Sequence, residues 1–287
     1  MSTTTVNGLF RYPVKSMLGE SLDAVALTAR GFPGDRAWAV RDEERGGIRG
    51  GKRFGALMQA RSYYAEAPSD EPSPPAHIEL PNGKAFLTTD PNAAAELSAF
   101  LESPVTLWPL LPADALDHYR RGAPLSTDME AELRRVFART PDEPLPDLSA
   151  FPREAFEFES PPGTYFDAFP LLIMSTNALD HLAAMATASR FDVRRFRPNL
   201  LVESDASGEF PENDWIGKRI RIGSAVIDVK MACPRCVMTT HPFADLPKDP
   251  RIMRTLVKHA NGNLGVYATV VTPGRLRTGD AVELMEH

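Results

Sequence analysis

Met231-Ala232-Cys233-Pro234-Arg235-Cys236-Val237-Met238-Thr239-Thr240 holds the only two cysteines of a 287-residue chain. They lie three apart, with an arginine between them, just after a strand-like run from Ile220 to Val229. A thiolate beside a cation, late in a β-rich sequence, suits a soft metal. Two cysteines do not complete a tetrahedral zinc site, so the stretch needs further ligands or another metal. The residues alone leave three readings open: a reduced structural pair, a redox dithiol, or part of a metal site. A redox pair usually sits at a helix N-terminus, which lowers the thiol pKa. Val237-Met238-Thr239-Thr240 does not favour a helix, so none is expected after Cys236.

Working outward, Trp215 to Met231 reads as a hairpin that turns at Gly223-Ser224, and Gly265 to Val271 reads as a further strand. Asp249 to Ala260 is expected to be a helix with Met253, Leu256, Val257 and Ala260 inward, ending at Asn261-Gly262. Leu171-Leu172-Ile173-Met174 is a buried-strand run, and Ser175 or Thr176 can cap the helix after it. The first hundred residues look β-rich, with strands at Val6 to Pro13 and Ala37 to Val40. Pro91 to Glu102 reads as a helix with Ala95, Leu97, Phe100 and Leu101 inward. Four prolines between Pro68 and Pro75 predict an exposed loop. Thr127 is placed to cap a helix, with Glu130 three residues on and Met129, Leu133, Val136 and Phe137 on one face. The expected division is 1–115 as a smaller β-barrel-like domain, 116–158 as a proline-rich helical connection, and 159–287 as the main domain.

The chain carries 32 basic and 38 acidic residues, a formal net charge of −6. That opposes non-specific nucleic-acid binding, which needs basic surface, but leaves room for a local cationic pocket. The start of the chain lacks a signal-peptide pattern, and no apolar run approaches the ~20 residues of a membrane span. The expectation is a cytoplasmic protein with no membrane or nucleic-acid partner, whose thiols stay reduced.

Three more clusters hold candidate chemistry. Arg11-Tyr12-Pro13-Val14-Lys15-Ser16 offers two cations and a hydroxyl around a turn, a combination that binds phosphate as well as it decorates a solvated loop. Gly34-Asp35-Arg36-Ala37-Trp38 puts an arginine at a strand entrance. Phe196-Arg197-Pro198-Asn199-Leu200 sets an arginine before a proline and follows it with a two-way hydrogen-bonding amide. In this order the four clusters resemble the MOSC family with its N-terminal β-barrel domain, the family of the mitochondrial amidoxime-reducing component and its bacterial relatives. The resemblance extends to Ser160-Pro161-Pro162-Gly163-Thr164-Tyr165-Phe166-Asp167, typical of bacterial members, and to Gly265 to Tyr267.

The resemblance implies an α+β, β-rich fold: a MOSC β-barrel-like domain with peripheral helices, a smaller N-terminal β-barrel-like domain, and a cofactor in the cleft between them. The cofactor implied is the molybdenum cofactor, a phosphate-bearing pterin dithiolene. By matching position, Cys236 is its metal ligand and the catalytic thiolate, with Cys233 a neighbour. Lys15, Ser16, Arg36, Arg197 and Asn199 are the matching pterin and phosphate contacts, joined by Pro234, Arg235 and Tyr267 in the pocket. The implied activity is oxidoreductase chemistry: oxygen removal from a small N-hydroxylated substrate. Electrons would come from a separate donor protein, of ferredoxin or cytochrome type, since the chain has no cysteines for a cluster of its own. The alternative is a cofactor or sulfur carrier using Cys236 without turnover. The chain departs from the mitochondrial relatives at Ala168-Phe169, where they carry small hydroxyl residues, and at Pro234 between the cysteines.

Overall fold

Five consecutive buried side chains, Leu171 to Ser175, form a strand at the centre of the protein. Successive side chains of a strand point to opposite faces, so a run buried at every position needs cover on both. The computed structural model describes residues 3–68, 72–149, 151, 154–205 and 208–285 and supplies that cover. Leu171 and Ile173 join one core with Leu200, Val202, Val229, Val266 and Ala268. Leu172 and Met174 join another with Leu201, Cys233 and the inward faces of helices Thr176–Met185 and Arg251–Ala260.

The strand belongs to an eight-stranded sheet, ordered Val282–Leu284, Arg219–Ile222, Ala225–Pro234, Asn263–Thr272, Leu171–Ser175, Leu200–Ser204, Thr4–Arg11 and Glu20–Leu22. Among its pairings, only Leu171–Ser175 with Leu200–Ser204 is parallel. The helix Thr176–Met185 lies in the crossover that a parallel pair requires. The sheet curls until its ends meet: Thr5 bridges Ala281, and the amides of Val6 and Gly279 donate to the carbonyls of Asp280 at 2.9 Å and Val6 at 2.8 Å. This is the β-rich α+β architecture expected from the sequence.

Strands from the first thirty residues pair with strands from later in the chain. Thr4–Arg11 and Glu20–Leu22 are strands of the large sheet, and Ala24–Leu27 pairs with Gly274–Arg277. Apolar alternation shows which face of a strand is buried but not which strand it pairs with. Two three-stranded sheets lie between residues 38 and 109: Trp38–Asp42 with Ile48–Arg49 and Val105–Pro109, and His77–Glu79 with Arg61–Tyr63 and Ala85–Leu87. Helix Ala93–Leu101 packs on their core through Leu97.

Several local expectations are corrected. Asp128, not Thr127, caps the helix Met129–Phe137, accepting from the amides of Glu130 and Ala131; it stands one residue nearer those donors. Ala95 is exposed, because the inward stripe of its helix runs through Ala93 and Leu97. In the proline-rich loop, residues 69–71 lie outside the described residues. Pro74 is buried there, and its carbonyl accepts from Trp38 Nε1 at 2.9 Å. Cys236 is followed by a 3₁₀ turn, Val237–Thr240, despite its threonines. The Thr239 and Thr240 hydroxyls bond back to the Cys236 and Val237 carbonyls at 3.1 and 2.7 Å, so here they brace the turn.

The ladder breaks at Cys233. Ala232 opposes Val266 and Pro234 opposes Asn263, so Leu264 and Gly265 together face this one residue. Such a bulge bends the strand and re-aims its side chains. Gly265 holds φ at +77°, and a Cβ there would lie 2.6 Å from the Ile173 carbonyl oxygen. Gly265→Ala should therefore cost about 2–4 kcal/mol in urea denaturation. Gly208→Ala, where a Cβ would meet nothing within 4 Å, should change stability by less than about 0.5 kcal/mol. Equal stabilities would show that the bulge is not a constraint.

Candidate functional site

The strand Ala225–Pro234 runs off the sheet into Arg235 and Cys236. The thiol emerges on the wall of an open cleft. The other walls come from the turn after Thr4–Arg11 (Lys15, Ser16), the loop before Trp38–Asp42 (Arg36), residues 165–169, and the segment 195–199. Cys236 is partly exposed and Cys233 buried, both as free thiols. Among the described residues five cationic side chains line the cleft, Lys15, Arg36, Arg195, Arg197 and Arg235, against one carboxylate, Asp167.

All nine residues singled out from the sequence line this one cleft. Their bonding differs. Arg197 is 7% exposed and stacks 4.2 Å from the centre of the Tyr12 ring. Among the described residues its guanidinium has one hydrogen-bond acceptor, the Met17 carbonyl, leaving the rest of its fork available. Arg36 sits 4.7 Å from the same ring and donates to Asp35, to Asn199 Oδ1 at 3.2 Å and to the Arg197 carbonyl at 3.3 Å. Ser16, Arg36 and Arg197 all hold left-handed φ values, of 70°, 47° and 57°. Non-glycine residues pay for that conformation, and such outliers gather at functional sites.

Two expected ligand contacts are committed elsewhere. Asn199 donates to Asp35 Oδ2 at 2.9 Å and the Phe10 carbonyl at 3.3 Å, and accepts from Arg36 and the Leu172 amide. Its amide has no capacity left, so it acts on the cleft through Arg36. Arg235 donates to Cys233 Sγ at 3.1 Å and to the Phe196 carbonyl at 2.5 Å, so its bond goes to the buried thiol and not to Cys236. Pro234 ends the strand opposite Asn263, and Tyr267 packs its ring 5.3 Å from that of Phe169. The Ser16 hydroxyl accepts from the Gly51 amide at 2.8 Å, and Lys15 donates to the Tyr165 carbonyl and Asp167 Oδ1, both at 2.7 Å. His241, which follows the Thr-Thr, is held by the Gly51 carbonyl at 3.0 Å.

Charge is out of balance here. Burial, and then the neighbouring Arg36, lower the Arg197 pKa to about 10. A drop of that size corresponds to about 3 kcal/mol of cost in keeping the group charged. Burial likewise pushes Lys15 down. Burial works against the Asp167 carboxylate too, but Lys15 and Lys52 together hold it well below the ordinary carboxylate range. For Lys52 the same carboxylate and the nearby Cys236 outweigh burial and raise its pKa. Burial raises the Cys233 thiol and, with Cys233 beside it, the Tyr267 phenol.

Sequence reading missed Asp35, Lys52, Asp167 and Arg195. Asp35 stood in a quoted motif beside Arg36, and Asp167 in another; Lys52 and Arg195 carried no local signal. Among the described residues no cluster of three or more His, Cys, Asp or Glu is placed to hold a metal ion. Among the described residues no helix is long and apolar enough to cross a membrane.

Known proteins resemble this chain over part or nearly all of its length. The mitochondrial amidoxime-reducing component 1 of Mus musculus is 29% identical over 134 residues, which are 42% of this chain and 38% of that protein. Component 2 of Homo sapiens is 32% identical over 135 residues, with the same shares. The chain thus spans well under half the length of these two relatives. Component 2 of Bos taurus is 24% identical over 314 aligned positions, 98% of this chain and 83% of the relative. The YUAD protein of Bacillus subtilis superposes with a TM-score of 0.44 at 14% identity, covering 100% of this chain and 97% of that one. The MOSC N-terminal beta barrel domain matches residues 3–93 and the MOSC domain residues 162–283, so the chain belongs to the MOSC family.

Proposed function

We propose that the protein is a molybdenum-cofactor-dependent reductase of small N-hydroxylated compounds, supplied with electrons by a separate protein. One observation carries the reading. A partly exposed thiol, outside any group of three or more His, Cys, Asp or Glu among the described residues, opens into a cleft where five cations face one carboxylate. That arrangement suits a polyanionic group that carries soft sulfur donors of its own. The residues fit such a group. Arg197 has donors to spare, Arg36 and Arg197 repel each other across one ring, and the backbone at Ser16, Arg36 and Arg197 is held in strained conformations.

In this reading Cys236 is the protein's metal ligand. Arg197 and Arg36 hold the anionic part of the cofactor, with Asn199 and Asp35 fixing Arg36. Lys15 contributes positive charge from a buried position, its donors already engaged by Tyr165, Asp167 and Ser160. When bound, the cofactor supplies a two-electron centre able to accept an oxygen atom. Phe169 and Tyr267 form an apolar wall beside it, and the paired Lys52 and Asp167 set the charge near Cys236. The relatives named as amidoxime-reducing components support this choice of chemistry.

The direct test is turnover of an aryl amidoxime with a reduced viologen, using protein made in a host that builds the cofactor. Reduction that disappears in Cys236→Ala, with the cofactor-free forms of parent and variant melting alike, is expected. Bound cofactor without turnover on any N-hydroxylated compound would favour the carrier role. The anion site has its own test in cofactor-free protein. Inorganic phosphate should raise the melting temperature by ligand linkage, and Arg197→Gln should lose at least half of that rise. An equal rise in both proteins would remove Arg197 from the anion site.

A further inference from the structure

Arg195 and Arg197 stand two residues apart on one segment and serve different parts of the cleft. Arg195 is 1% exposed. Its guanidinium donates to four backbone carbonyls: Nε to Arg190 at 3.1 Å, Nη1 to Thr239 at 3.3 Å and His241 at 3.1 Å, and Nη2 to Pro247 at 2.8 Å. Three of these acceptors lie on the chain that leaves Cys236. Thr239 belongs to the turn Val237–Thr240, and His241 follows that turn directly. The Thr239 hydroxyl in turn bonds to the Cys236 carbonyl at 3.1 Å. One planar cationic fork thus grips the thiol-bearing turn from its far end, where unpaired carbonyls gather.

The stitch runs both ways. Arg235, the residue before Cys236, donates to the Phe196 carbonyl at 2.5 Å, between Arg195 and Arg197. The segment that presents Arg197 and the segment that presents Cys236 are therefore fastened by two arginines pointing in opposite directions. Removing Arg195 would take the donor from the buried Thr239 carbonyl and from three part-buried ones, and stranding the buried carbonyl costs more than its bond is worth. Lysine does not replace it, because one ammonium lacks the fixed fork.

We propose that Arg195 is a positioning residue: it sets where the Cys236 thiol sits relative to Arg197, without itself supplying a ligand. The assignment rests on the reading of Cys236 as the metal ligand. Arg195→Ala and Arg195→Lys, made alongside the parent in a cofactor-competent host, test it through two readouts. The first is molybdenum bound per chain. The second, on cofactor-free protein, is the rate of Cys236 alkylation by iodoacetamide, read by peptide fragmentation to separate it from Cys233. Both variants should retain about tenfold less molybdenum, as when a ligand's supporting hydrogen bonds are lost, and should alkylate at a clearly changed rate. Low millimolar guanidinium should restore the alkylation rate in Arg195→Ala. Parent-like molybdenum and alkylation in a folded variant would overturn the proposal. So would lowered melting temperature with alkylation unchanged, which marks a merely structural arginine. If Arg195→Ala does not fold, Arg195→Lys decides alone: parent-like values refute the role. A parent protein without molybdenum would refute the cofactor reading, while the alkylation arm still judges Arg195.

Discussion

The cleft depends on one buried carboxylate. Asp35, with its side chain wholly buried, accepts from the Tyr12 amide at 2.8 Å, from Asn199 Nδ2 at 2.9 Å and from Arg36. These donors come from the end of the first strand, from the segment before Leu200–Ser204, and from the loop entering Trp38–Asp42. Breaking a buried ion pair from one side costs about 3–5 kcal/mol, because the partner charge is stranded. Here the stranded partner would be Arg36, already set against Arg197 on the Tyr12 ring. Asp35 is thus what allows two arginines to share one ring, and that sharing gives the cleft its surplus of positive charge.

The surplus is local. The chain as a whole carries a net charge of −6, so the cations are concentrated, not general. Concentration in a concave, partly dry site gives each charge more effect than on open surface. The cost is visible in the lowered pKa of Arg197 and in three left-handed residues at the cleft. Proteins hold such strain where the surroundings over-determine it. In this protein the surroundings are the curled sheet, closed at Thr5 and Ala281, and the arginine stitches between segments 190–199 and 233–247.

Much of this was legible in the sequence, and the rest was not for definite reasons. The unbroken apolar run at Leu171–Met174 announced a strand covered on both faces, and Gly223-Ser224 announced its hairpin, because each signal is local. Lys15, Arg36, Arg197 and Cys236 could be grouped because their motifs resembled a family in a fixed order. Arg195 and Lys52 could not, since each matters only through contacts with segments far along the chain: Arg195 with Thr239 and Pro247, Lys52 with Asp167. Asn199 was placed in the cleft, but the neighbours that fill its amide's bonds were not legible. A sequence shows that an amide has four bonding positions, not that neighbours will fill them all. The threonines after Cys236 misled for a related reason: their low helix propensity was overridden by hydroxyl bonds that only the folded turn makes.

The central claim is that the cleft is incomplete without an anionic, metal-bearing group held through Cys236. The measurement that tests it most directly is the molybdenum and pterin content of the purified protein, from a host that makes the cofactor and from one that does not. The account predicts close to one molybdenum and one pterin per chain in the first case. In the second it predicts neither, together with a lower melting temperature. Protein free of both from a competent host, with the same melting temperature from either source, would contradict it.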